Sequence, residues 1–83
     1  MQIGTVVQID LAKRLFVVLI DGRDYTLWEH LGAANLVVGS CLKGPLYGLG
    51  DASLRDMTSG LTFEAFGHTG PCSLASCRGI LKG

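Results

Sequence analysis

The sequence predicts a mainly β domain: a small antiparallel barrel of five or six strands that ends in a short α-helix. Three observations predict it. Short apolar runs alternate with turns, and most of the 12 glycines stand between those runs, a spacing typical of sandwiches and barrels. The dipeptide Asp21-Gly22 is a strong hairpin signal. In the last segment the apolar residues change from a two-residue period to a helical period.

The first part of the chain predicts three strands. Residues 2–10 are rich in Val and Ile, which favour strands, and residues 11–14 form a short connection. Residues 15–21 are apolar at almost every position and predict the second strand. A tight hairpin at Asp21-Gly22 leads into the third strand, residues 24–29.

This hairpin also predicts a register. A loop with an even number of residues places even positions of the second strand on the same face as odd positions of the third. One face is then wholly apolar and should point into the core: Phe16, Val18, Ile20, Tyr25 and Leu27. The other face is mixed: Leu15, Val17, Leu19, Thr26 and Trp28. Because the second face is too apolar to lie in water, we expect the C-terminal segment, another subunit or a partner to cover it.

The middle of the chain is less regular. Residues 30–36 predict one or two helical turns with Leu31, Ala34 and Leu36 facing inward. Residues 41–46 predict a fourth strand that ends at Pro45, because proline cannot donate to a strand ladder. A glycine-rich loop, residues 47–52, follows. A second hairpin joins residues 54–58 to residues 61–66, with Phe63 and Ala65 on one side.

The tail predicts a helix. Thr69-Gly70-Pro71 is a start signal, with Pro71 at the first helical position, where its missing N–H costs nothing. Leu74, Cys77 and Leu81 recur at helical spacing with Ile80 beside them. A helix this short is not stable alone, so we expect it to dock on the sheet.

Composition limits the classes of protein. With 83 residues, 48% of them hydrophobic and 17% charged, the chain predicts one domain, residues 1–83, and is too apolar for disorder. Its longest apolar run, residues 15–20, is too short for a membrane helix, so we expect no membrane contact. The chain begins without a signal-peptide pattern and has an odd number of cysteines, three. We therefore expect a reducing cytoplasm.

Catalytic and metal-binding patterns are weak, and we expect no enzyme activity, no catalytic residues, no metal and no cofactor. His68, Cys72 and Cys77 lie close together in sequence, but zinc sites favour tight Cys-x-x-Cys pairs. Cys72 and Cys77 are five positions apart, which on a helix would place them on different faces. A small zinc-binding domain is therefore an unfavoured alternative.

Basic and aromatic residues near the first hairpin predict a candidate surface for a partner or for nucleic acid. Its members are Lys13, Arg14, Arg23, Thr26 and Trp28. Barrels of the oligonucleotide-binding type combine basic loops with aromatic stacking on such strands, and an SH3-like barrel is the other fold that the pattern fits. However, seven basic and seven acidic residues cancel, whereas nucleic-acid modules usually carry net positive charge.

The resulting functional hypothesis is a non-catalytic interaction module. It binds a protein partner or a second copy of itself, since the apolar residues on both faces of the second strand exceed what one core needs. The alternative is binding of single-stranded nucleic acid by an OB-like barrel.

Overall fold

A computed structural model describes residues 1–31 and 36–82, with side chains to residue 80. Within these residues the chain forms six strands followed by one helix. The elements are β1 (Gln2–Asp10), β2 (Leu15–Ile20), β3 (Asp24–His30), β4 (Cys41–Gly44), β5 (Gly50–Asp56), β6 (Thr62–Gly67) and α1 (Leu74–Lys82).

The six strands close into one antiparallel barrel in the order β1-β2-β3-β6-β5-β4. Each half of the barrel is a meander of three consecutive strands, and the halves join through β3 with β6 and β1 with β4. Closure pairs both edges of each meander, so exposed strand edges are removed. The predicted barrel with a C-terminal helix is confirmed, and its strand number is six.

The turn between β2 and β3 has one residue more than the sequence indicated. Asp21 and Gly22 have φ values of 55° and 69°, as expected for the predicted tight turn, and the Arg23 amide donates to the Ile20 carbonyl at 3.1 Å. However, Ile20 pairs with Asp24, so Arg23 adds a third residue to the loop. The predicted register of β3 is therefore wrong by one position.

This shift exchanges the two faces of β3. Phe16 pairs with Trp28 and Val18 with Thr26, so both β3 residues point into the barrel, whereas Tyr25 and Leu27 point outward. The predicted inward face is correct for β2 and wrong for β3. The barrel core consists of Val6, Phe16, Val18, Ile20, Trp28, Leu36, Leu42, Leu46, Leu54 and Ala65.

Trp28 is the largest fully buried side chain, with 0% exposure. Its indole Nε1–H donates to Thr26 Oγ1 at 3.0 Å, so the polar atom of the ring has a partner inside the barrel. The ring also requires a small neighbour on β6. A β-carbon at Gly67 would lie 2.6 Å from the Gly48 carbonyl oxygen and 3.1 Å from Trp28 Cη2.

The C-terminal segment begins differently from the prediction. Helix α1 starts at Leu74, and the Ser73 hydroxyl accepts the Ser76 amide at 3.2 Å, which makes Ser73 the N-cap. Pro71 therefore precedes the helix. The chain before it continues along β3, where Cys72 and Tyr25 exchange two backbone hydrogen bonds of 2.9 and 3.2 Å. These bonds satisfy β3 backbone groups that β6 does not reach.

Helix α1 covers the outer face of β1 to β3. Cys77 of the helix is buried with Val17 and Leu27. Val7, which follows the inward Val6 on β1, packs in the same cluster, whose partly buried members are Val7, Leu15, Tyr25, Cys72 and Leu74. The expectation that the C-terminal segment covers the second apolar face is confirmed, with Leu27 in the place predicted for Trp28.

Smaller differences concern the middle of the chain. Strand β3 continues to His30, and Leu31 is 47% exposed rather than turned inward. Leu36 is buried as predicted, while Ala34 lies outside the described residues. Strand β4 ends at Gly44, immediately before Pro45, and β5 begins at Gly50 within the predicted loop. Phe63 and Ala65 lie on one side of β6, as predicted, and both pack in the core.

The contact between Gly67 and Trp28 predicts a steric effect on stability. We expect Gly67→Ala to lower the free energy of unfolding by about 1–3 kcal/mol, the usual cost of overpacking a core. Gly70→Ala is the matched control, because a β-carbon there meets no atom within 4 Å. Urea unfolding of both variants measures the difference, and equal midpoints would contradict the close contact.

The buried Trp28–Thr26 hydrogen bond predicts a second effect. Thr26→Val removes the acceptor and leaves the indole N–H unpaired, which should cost about 1–3 kcal/mol. The control is Thr5→Val, on the exposed face of β1, which should change stability little. Unfolding followed by Trp28 fluorescence measures both, and a Thr26→Val protein as stable as the control would disprove the role of this bond.

Candidate functional site

The five residues predicted as a partner or nucleic-acid surface do not form one surface. Lys13 and Arg14 are exposed in the β1–β2 turn, and Arg23 is exposed in the β2–β3 turn. These turns flank the six-residue strand β2 and so stand about 20 Å apart, at 3.3 Å per residue. Thr26 and Trp28 are fully buried. The prediction that they face a ligand is wrong, because it depended on a turn with an even number of residues, whereas the loop has three.

The structure instead presents a groove on the outer surface of β4 and β5. Its volume is about 330 Å³, and it is lined by Met1, Lys43, Gly44, Ser53, Arg55 and Thr62. The groove lies where β4 and β5 pair at two positions, Leu42 with Asp56 and Lys43 with Arg55. The next residue, Gly44, still lies close to the β5 backbone, where a β-carbon would be 3.2 Å from the Ser53 carbonyl oxygen, and β5 pairs with β6 over six positions.

One row of paired residues positions the charged side chains of the groove. Lys43 pairs with Ile3 of β1 on one side and with Arg55 of β5 on the other. Arg55 in turn pairs with Thr62 of β6. Paired residues on neighbouring strands have their side chains on the same face of a sheet. The two cations therefore stand directly opposite each other, with both side chains exposed.

Neither cation has an ion-pair partner among the described residues, where the ion pairs join Arg23 with Asp24 and His68 with Glu29. The acidic residue nearest in register on the same outer face, Glu64, pairs with Ser53 and accepts a hydrogen bond from its hydroxyl at 2.8 Å. Like charges directly opposite each other destabilise a sheet, so the two cations repel each other across β4 and β5.

The described residues contain no group of three or more His, Cys, Asp or Glu side chains arranged to hold a metal ion. Two thiols do come together: Cys72 Sγ and Cys77 Sγ are 2.8 Å apart. The prediction that their five-residue spacing separates them is wrong, because Cys72 precedes the helix instead of lying on it. Burial, followed by the hydrogen bond and the charge interaction with Cys72, raises the pKa of Cys77 to about 12.

Tyr47 lies at the end of the barrel, next to the groove in sequence but not part of its lining. Its hydroxyl donates to Asp24 Oδ2 at 2.8 Å and ties the loop after β4 to the start of β3. This hydrogen bond is the main cause that raises the pKa of Tyr47, with burial second.

Comparison of the chain with protein-family models, curated proteins and solved structures finds no significant match in any of the three. No helix in the described part of the chain has the length and apolar character needed to cross a bilayer.

Sequence reasoning missed the groove. Lys43 and Arg55 stand on different strands, and nothing local to either residue indicates that they pair. The available signal was weaker: each is the charged residue at an outward position of an otherwise alternating strand.

The opposed cations predict an unusual effect of charge reversal. Lys43→Glu replaces a repulsive pair by an ion pair with Arg55, which should raise the free energy of unfolding by about 0.2–1 kcal/mol. The gain should shrink at high salt, where exposed charges are screened. Urea unfolding at low and high salt measures it.

Lys13→Glu is the matched control, because it makes the same change in net charge in an exposed turn at one end of the barrel. If Lys43→Glu is no more stable than Lys13→Glu at low salt, Lys43 and Arg55 do not repel each other in the folded protein.

Proposed function

We propose that this protein is a non-catalytic binding module whose groove on β4 and β5 takes an extended acidic segment of a protein partner. The observation that carries the proposal is the pair Lys43 and Arg55, opposed across two strands and engaged in no ion pair with any described residue. The pair costs folding stability, and a cost of this kind is typical of surfaces that serve binding. A carboxylate between the two side chains would interact favourably with both.

The lining of the groove favours a peptide over an isolated ion. Beside the two cations it contains the hydroxyls of Ser53 and Thr62 and the apolar side chain of Met1. Lys and Arg also present long apolar stems below their charged ends. A glutamate side chain offers the matching chemistry, because its methylenes can lie on the stems while its carboxylate meets the charges. Arginine adds geometric selection, because its planar group can hold a carboxylate through two hydrogen bonds.

The side chains of the groove support binding without catalysis. The hydroxyl of Ser53 already donates to Glu64, and both residues are exposed to water. A nucleophile needs a base positioned and oriented by a third group, and the lining supplies two cations in place of such a base. Three free cysteines fit a module that works in a reducing compartment such as the cytoplasm.

Single-stranded nucleic acid is the competing ligand, because phosphates also meet lysine and arginine. Such proteins add aromatic rings on which bases stack. Trp28 is inside the barrel, and none of the residues that line the groove is aromatic. Phe66 is 38% exposed but lies on another strand and packs edge-to-face on His68 at 5.1 Å. The groove therefore favours carboxylates over nucleotides.

A fluorescent peptide that alternates glutamate with serine tests the proposal. We expect this peptide to bind the parent protein weakly and in a salt-sensitive manner. A matched peptide with glutamine in place of glutamate should not bind. Each exposed ion pair is worth about 0.2–1 kcal/mol. Lys43→Glu and Arg55→Glu each remove one attraction and add one repulsion, so each should weaken binding by about twofold to thirtyfold. Lys13→Glu should bind like the parent.

The stability of the variants separates loss of binding from loss of fold, because Lys43→Glu should be the more stable protein. Equal affinity of the parent and both groove variants would refute the proposed site. A thymidine oligonucleotide that binds tighter than the peptide and is lost in the same variants would favour the nucleic-acid alternative. Sedimentation showing a dimer that the two variants disrupt would identify a second copy of the chain as the partner.

A further inference from the structure

The two thiols of Cys72 and Cys77 form a cluster that the proposed groove does not use. Their sulfur atoms are 2.8 Å apart, and a disulfide bond requires about 2.05 Å. A movement of less than about 1 Å would therefore bring the sulfurs to bonding distance. Cys41, the third cysteine, lies on β4, which is opposite β3 in the ring of six strands.

The fold holds both cysteines in place from independent directions. Cys72 is fixed by its two backbone hydrogen bonds to Tyr25, and its thiol also donates to the Tyr25 carbonyl at 3.3 Å. Cys77 is fixed by burial of its helix face against Val17 and Leu27. The docking of the whole segment therefore brings the two cysteines together, and their side-chain conformations place the sulfurs 2.8 Å apart.

The two thiols differ in access. Cys72 is partly exposed, whereas Cys77 is buried. Thiol–disulfide exchange requires a thiolate that reaches the other sulfur, so an external reagent meets Cys72 first. The neighbouring Thr69 hydroxyl contacts Cys72 Sγ at 3.6 Å. It also lowers the pKa of Cys77, against the larger effects of burial and Cys72.

We infer that Cys72 and Cys77 are a modification site that forms a reversible intramolecular disulfide on reaction with a small-molecule disulfide. In the first step the Cys72 thiol gives its proton to water, and its thiolate attacks one sulfur of the reagent. A mixed disulfide forms on Cys72, and the other half of the reagent leaves as a thiolate that takes up a proton.

In the second step Cys77 resolves the mixed disulfide. Once Cys72 is capped, its negative charge and its hydrogen bond no longer oppose ionisation of Cys77. The Cys77 thiolate attacks Cys72 Sγ, the protein disulfide forms, and the second half of the reagent leaves with the proton from Cys77. In total the protein loses two hydrogens, and the reagent becomes two thiols.

The disulfide would join two parts of the C-terminal segment covalently: the residues that pair with β3, which include Cys72, and helix α1, which includes Cys77. In the thiol form, the Leu27 amide donates to Thr69 Oγ1 at 3.0 Å, and Tyr25 pairs with Cys72. These contacts hold residues 68–72 on the barrel. A covalent link from Cys72 to α1 would limit local opening of this segment, which is the kind of motion that amide exchange detects.

Oxidised glutathione tests the inference in a Cys41→Ser background. We expect both remaining thiols to disappear and the mass of the monomer to fall by about 2 Da, with recovery on addition of a reductant. The added Cys77→Ser change should stop the reaction at a stable glutathione adduct on Cys72. Amides of residues 25 and 72 should exchange more slowly in the oxidised protein.

Unfolding in urea tests whether the short separation of the two cysteines in sequence is sufficient for disulfide formation without the fold. If the fold brings the sulfurs together, disulfide formation in the native protein should be favoured over that in the unfolded protein by about tenfold or more. Equal equilibria in the two states, two surviving thiols in the native protein, or a disulfide between two chains would each overturn the inference. If the Cys72→Ser variant, in which Cys77 is intact, forms no glutathione adduct, this would support the assignment of Cys72 as the thiol that reacts first.

Discussion

The turn at Asp21, Gly22 and Arg23 determines which side chains fill this barrel. In a strand a shift of one residue moves every side chain to the opposite face. The third residue of the turn therefore determines which β3 side chains point into the barrel. With Arg23 in the loop, Trp28 and Thr26 enter the core together and satisfy each other through one hydrogen bond. The close approach of Gly67 to the indole ring follows from that position.

The same turn determines how the C-terminal segment docks. It places Leu27 beside Val17 on the outer surface of the barrel, where two adjacent strands are too apolar to face water. Helix α1 buries this surface, and the residues before the helix complete the hydrogen bonds of β3. Cys72 belongs to the part that pairs with β3, and Cys77 belongs to the part that covers it. Their contact is therefore a consequence of sealing the barrel.

The sequence predicted those features that depend on local patterns. Hydrophobic period and glycine placement were sufficient for the strands, both hairpins and the terminal helix. The register was not predictable, because Asp21-Gly22 forms the same turn whether or not Arg23 extends the loop. The helix start was misjudged because Pro71 and the Ser73 cap are both acceptable start signals. The groove depends on the pairing of Lys43 with Arg55, which closure of the barrel brings about, and no local pattern encodes it.

The topology separates the two surfaces proposed to have chemistry. In the ring β1-β2-β3-β6-β5-β4, strand β2 is three positions from β5 in either direction, so the two strands face each other across the core. Helix α1 and the cysteine pair cover the side of β2, and the cationic groove lies on the side of β5. Between them stand the packed side chains of Phe16, Trp28 and Leu54. The proposed binding and the proposed thiol reaction therefore use opposite sides of the barrel, with a tightly packed core between them.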